Sequence, residues 1–227
     1  MNLPTLTPDA QIYVVAILAL CCGTCGELAF FVQRVMARRA LRPPFLRVYA
    51  AVMACMVAAA AVVVDLASLV PRTWLGAAGA AGAGLVVGAI AWRSEVAFKM
   101  RYLVGRDERR GGGVVAPRYE AAPSALLLVA IGALEEILFR GVLFELARAV
   151  ESDVWEVAAH AGVNLIFLAI HVRLGRREMI SKIPLGLLAF TATLVTGNVA
   201  AAVVGHVWFN LRAARRLGAR GSRWEPR

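Results

Sequence analysis

Apolar residues in this chain run in long blocks, without the strict alternation of a half-buried strand. Seven blocks stand out, at 11–32, 48–70, 75–92, 122–149, 154–172, 183–196 and 199–211. Runs of about 18 or more apolar residues read as membrane-crossing helices. The pattern therefore predicts an all-α, polytopic transmembrane helical bundle of about seven spans. The last two blocks are short, since about fourteen residues cover roughly 21 Å against a hydrocarbon core of about 30 Å. One continuous helix from 183 to 211 would avoid that shortness. It would also strand the arginine-rich tail on the side opposite the basic loop before it, and Gly197-Asn198 offers a break. Two short helices are expected.

Composition agrees with the pattern: 60% of the 227 residues are hydrophobic and the mean hydropathy is +0.68, values of the polytopic membrane class. The net charge of +10 invites a nucleic-acid reading, but its distribution excludes one. Of the 25 basic residues, 22 fall in four groups, between 34 and 47, 93 and 118, 173 and 182, and from Arg212 to the end. Basic residues in alternate loops mark cytoplasmic loops, with attraction to anionic lipid as a second effect. This places the C-terminus in the cytoplasm. The N-terminus, with Asp9 and no basic residue before Arg34, falls outside. For the same reason no secretory signal peptide is expected.

The chain divides into three N-terminal helices (1–92), a basic cytoplasmic loop (93–121), a helical core (122–212) and a basic tail (213–227). Gly111-Gly112-Gly113 and Pro117 punctuate the loop, which is too short to bury a core of its own. Glu27 and Asp65 sit near predicted span ends, where polar groups reach the interface. Cys22-Gly-Thr-Cys25 has a redox spacing, but inside a span it reads as small-residue packing. The Gly/Ala-rich run from Gly76 to Gly88 reads as a close-packing helix face. No repeat or inverted pair of broken helices supports a transporter. Arginine outnumbers lysine 23 to 2, beside heavy use of Ala, Gly and Val, which suggests a GC-rich genome and the cytoplasmic membrane of a bacterium.

The core block carries the chemistry. Ala133-Leu134-Glu135-Glu136-Ile137-Leu138-Phe139-Arg140 sets two carboxylates and a guanidinium at bilayer depth. Two later apolar segments bring His171, in a Phe167-x-x-x-His171 pattern, and His206, in His206-x-x-x-Asn210. Ionisable groups at such depth cost a few kcal/mol each, so they persist where they face a protein or water-filled interior. Glu136 and Arg140, at i and i+4, can pair, while Glu135 points about 100° away. Glu136 then reads as a structural carboxylate and Glu135 as a general base for a water molecule. The alternative is a buried ion pair with a spare glutamate that stitches helices together. His160, Asn164, Phe167 and His171 share one helix face; His160 has no motif around it and reads as packing.

Glu-Glu-x-x-x-Arg, Phe-x-x-x-His and His-x-x-x-Asn, in this order, resemble the CPBP family, which groups CAAX prenyl endoproteases, bacteriocin-processing enzymes and the proteins called Abi. Gly141 after the arginine adds to the likeness, which spans roughly 123–211 and leaves the first three helices unaccounted for. The resemblance implies a glutamate-type intramembrane endopeptidase acting near the C-terminus of a membrane-associated peptide or protein. Glu135 with His171 would activate water, and His206 with Asn210 would hold the oxyanion; Glu136, Arg140 and Phe167 would support them. No cofactor is implied. A zinc alternative would use Glu135, His171 and His206, but the chain has no His-Glu-x-x-His spacing and Asn is an uncommon zinc ligand. Two non-enzymatic readings stand beside it: a membrane scaffold or bacteriocin-immunity protein with the same fold, and a proton relay.

Overall fold

In the computed structural model the described residues are 17, 20–39, 41, 43–61, 64–103, 123–150, 152–172 and 175–221. The start of the first predicted span, most of the 93–121 loop and the end of the tail lie outside them. Among the described residues every regular element is helical: α1 (Cys25–Arg38), α2 (Phe45–Ala60), a 3-10 turn (Leu66–Leu69), α3 (Trp74–Leu103), α4 (Ala125–Glu136), a π-helical segment (Ile137–Val142), α5 (Leu143–Arg148), α6 (Asp153–Ala169), α7 (Arg176–Ser181), α8 (Ile183–Thr196) and α9 (Ala200–Gly221).

Local chemistry sets the boundaries. Ser124 Oγ accepts from the Leu127 amide and starts α4, the side-chain capping that satisfies a first-turn donor. Gly197 takes the left-handed conformation (φ 66°) that ends α8, and Asn198 Oδ1 accepts from the Ala200 amide to start α9. The break expected at Gly197-Asn198 is therefore real, because each residue does what its type does best. Elsewhere the boundaries differ. The second block stops at Ala60, and Asp65 caps the 3-10 turn through the Ala67 amide. α3 runs on to Leu103, past the end predicted at Trp92. Its charges at Glu95 and Lys99 pair at i and i+4 and so belong to the helix, although they read as loop. α9 likewise continues into the stretch read as tail.

Two packed groups meet at the site. α1, α2, α4 to α6 and the π segment share one core around Met53, Phe139, Leu143 and Phe167. α3, α8 and α9 pack through smaller clusters such as Ala80–Ala192–Ala201 and Ala91–Leu185–Phe209. The Gly/Ala-rich face of α3 lies against α9. A Cβ on Gly84 would sit 2.6 Å from the Ala201 carbonyl oxygen, and one on Gly88 2.6 Å from that of Gly205. Small residues here let two backbones touch. Two helical stretches, Trp74–Arg101 and Arg176–Thr196, are long and apolar enough to cross a bilayer, and Phe45–Ala60 is a shorter apolar helix. Large apolar side chains such as Trp74, Leu126, Val154 and Val195 are more than three-quarters exposed, while Glu136 and Arg140 are fully buried. That distribution suits a lipid surround.

Candidate active site

The glutamate pair ends α4, and directly after it the helix widens. From Ile137 to Val142 the backbone is π-helical, and the Leu143 amide bonds to the Leu138 carbonyl, five residues back. Such bulges recur at functional sites because they re-aim side chains within a helix. Here the widened turn carries Arg140. Its Nη2 donates to the Gly186 carbonyl at 3.1 Å and to Asn164 Oδ1 at 3.4 Å, and its guanidinium lies 3.8 Å from the centre of the Phe167 ring. The expected Glu136–Arg140 pair is present, but at 3.5 Å from Nε to Oε2 it is the looser of the contacts Glu136 makes.

The closer one comes from α9. His206 Nδ1 is 2.7 Å from Glu136 Oε1, and its Nε2 is 3.5 Å from Glu135 Oε2. One imidazole thus bridges both carboxylates. A ring nitrogen at hydrogen-bond distance from an ionised carboxylate is the donor, so Nδ1 donates to Glu136 and Nε2 faces Glu135. Glu135 in turn accepts a hydrogen bond on Oε1 from the Tyr49 hydroxyl of α2, at 2.8 Å.

His171 follows α6 on a turn. Its Nδ1 is 3.0 Å from the Phe167 carbonyl oxygen, and because a carbonyl only accepts, Nδ1 carries the proton and Nε2 is left to act as a base. Asn210, one turn beyond His206, donates from Nδ2 to the Leu128 carbonyl at 3.1 Å, leaving its second N–H. The Asn210 amide fits here because residue 132 is glycine: a Cβ there would lie 2.9 Å from Asn210 Nδ2.

Glu135, His171, His206 and Asn210 all line one cavity of about 150 Å³, together with Tyr49, Phe45, Ile131 and Lys182. Groups 75 residues apart in sequence, from Glu135 to Asn210, are brought to one small space. Residues 117–212 match the model of a family described as type II CAAX prenyl endopeptidase Rce1-like.

The helical core is similar to this Rce1-like family over 117–212. The match contains all seven residues singled out from the sequence, and it supports the CPBP resemblance drawn there. No curated protein and no solved structure matches the chain. The Rce1-like block also contains His160, which packs between Phe144 and Phe190 with ring centroids at 4.6 and 5.4 Å, and whose Nε2 stands 3.5 Å from Glu156. It lies outside that cavity and lines a separate one of about 750 Å³ with Glu156 and Asn164.

Five residues in or beside the cavity escaped the sequence reading. Tyr49 lies outside the Rce1-like match, on a helix that carries no motif. Lys182 lines the cavity while its Nζ bonds Glu95 Oε2 at 3.1 Å and lies 4.2 Å from the centre of the Phe209 ring. Glu95 and Glu178, with Lys99 between them at 2.5 and 2.6 Å, complete an ionic strap from α3 to α7. Lys99, Lys182 and Glu178 read as loop charges because they fall in the basic clusters. Among the described residues, no three His, Cys, Asp or Glu side chains are grouped as metal ligands.

Proposed function

We propose that the chain is an intramembrane endopeptidase that hydrolyses a peptide bond near the C-terminus of a membrane-associated peptide or protein. The observation that carries this reading is the convergence of Glu135, His171, His206 and Asn210 on one small cavity inside an apolar bundle. Acyl transfer to water needs a base, a proton carrier and fixed donors for an oxyanion, and these four supply that set.

Glu135 takes a proton from a water molecule, whose oxygen bonds to the scissile carbonyl carbon. His171, with Nε2 free, assists. The negative charge that gathers on the carbonyl oxygen is met by the second Asn210 N–H and by His206 Nε2–H when the imidazole is protonated between its two carboxylates. Collapse of the tetrahedral intermediate breaks the C–N bond. The proton held by the Glu135–His171 pair passes to the departing amine, leaving a shortened chain with a new carboxylate. Glu136 and Arg140 fix His206 and the π-helical turn. No step is routed through a metal.

The topology proposed with it is seven crossings, with the N-terminus outside and the C-terminus in the cytoplasm of a bacterium. Reporters fused after Arg227 and before Leu3 should read opposite sides; a common side would break that topology.

The functional test uses purified protein in detergent and a quenched fluorogenic peptide ending in a farnesylated CAAX sequence, the substrate class in the family description. Glu135→Gln keeps size and hydrogen bonding but removes the base, and turnover should fall by roughly two to four orders of magnitude. Chelator should leave the wild-type rate unchanged. A rate abolished by chelator and restored by zinc would overturn the glutamate mechanism.

A further inference from the structure

The family match begins at residue 117, yet the glutamate proposed as base makes its shortest contact with a residue far upstream. Tyr49 donates to Glu135 Oε1 at 2.8 Å across 86 positions of sequence. Both side chains are almost fully buried, and both line the cavity. The Tyr49 ring is itself held, stacked on Phe45 at 6.0 Å with 20° between the planes. A buried tyrosine hydroxyl requires a partner, and the available one here is the reacting carboxylate.

The two oxygens of Glu135 are consequently unequal. Oε1 is engaged by a short charge-assisted bond, whereas Oε2 has the looser 3.5 Å approach of His206. A carboxylate free to rotate would present either oxygen to water and spread its proton-accepting geometry over two positions. Anchoring one oxygen leaves the other in a single place, the preorganisation that a positioned base needs.

We propose that Tyr49 is a positioning residue of the site: by holding Oε1 it commits Oε2 of Glu135 to the attacking water. α2 is thereby part of the machinery, and the Rce1-like block alone is an incomplete site. The inference rests on the endopeptidase reading and adds to it a residue outside the matched segment.

The test measures kcat and KM separately on the full chain with the same farnesylated fluorogenic peptide. Tyr49→Phe keeps the ring and its stacking on Phe45 and removes only the hydroxyl. A hydrogen bond to a charged group corresponds to roughly a 10- to 100-fold effect, expected in kcat with KM unchanged. Difluorotyrosine installed at position 49 retains the donor and should retain turnover. In the Glu135→Gln background the same change should cost nothing further, because no base is left to position. A Tyr49→Phe variant with wild-type kcat, or one altered only in KM, would overturn the role of Tyr49 while an inactive Glu135→Gln kept the protease reading intact. A Glu135→Gln variant as active as wild type would overturn both.

Discussion

Two four-residue ionic clusters in this bundle are built on opposite principles. The strap of Glu95, Lys99, Glu178 and Lys182 alternates in sign, with each acid 2.5–3.1 Å from a lysine, and Lys99 and Glu178 remain more than a quarter exposed. The cluster of Glu135, Glu136, Arg140 and His206 is almost wholly buried, yet two of its contacts are 3.5 Å long. Among the described residues, Glu136 Oε2 and Arg140 Nη1 are buried without a hydrogen-bond partner. A satisfied, part-exposed cluster ties helices together at little cost. A buried cluster with unmet donors and acceptors is costly, and such groups in a membrane protein point to function. The difference is that between a fastening and the proposed site.

The comparison can be broken most sharply within the buried cluster. Glu135→Gln should remove two to four orders of magnitude of turnover and leave folding intact. Glu136→Gln should instead lower thermal stability or yield, because it weakens the hold on both Arg140 and His206; loss of a buried charge partner typically costs about 3–5 kcal/mol. Melting curves beside rate measurements distinguish the two, and equal catalytic defects with unchanged stability would reject the division of labour. Next in size comes Gly132→Ala. Its methyl group would meet Asn210 Nδ2 at 2.9 Å and displace that amide, and a misplacement of that order can lower turnover by roughly 10- to 100-fold. Smallest should be Lys99→Met in the strap, because buried Glu95 keeps its Lys182 partner and the part-exposed Lys99–Glu178 pair is worth about 0–1 kcal/mol. A loss of activity there as large as that of Glu135→Gln would erase the distinction between the clusters.

How far the sequence could be read follows the same contrast. Charges inside apolar runs are conspicuous, so Glu135, Glu136, Arg140, His171 and His206 stood out before any fold was known. Gly197-Asn198 stood out because its chemistry is local. Tyr49 was invisible, since a tyrosine on an apolar helix is indistinguishable from packing until its hydroxyl meets a carboxylate from another helix. The strap was misread for the reverse reason: charges near a span end look like loop when their partners are 79 and 87 residues away. Nothing in Ile137–Val142 marks a π-helical turn, and nothing local shows why residue 132 must be glycine. Pairings across the bundle are set by tertiary packing, which no single segment encodes.

The central claim is that the residues meeting at the cavity act as one unit. The most direct test is the rate of the double variant Glu135→Gln/His206→Ala against each single variant, on the same peptide and with melting temperature monitored. Residues that serve one mechanism give strongly non-additive losses, so the double variant should be no slower than the worse single one. Losses that multiply, in proteins equally well folded, would mean that Glu135 and His206 contribute independently, and the proposed site would not stand.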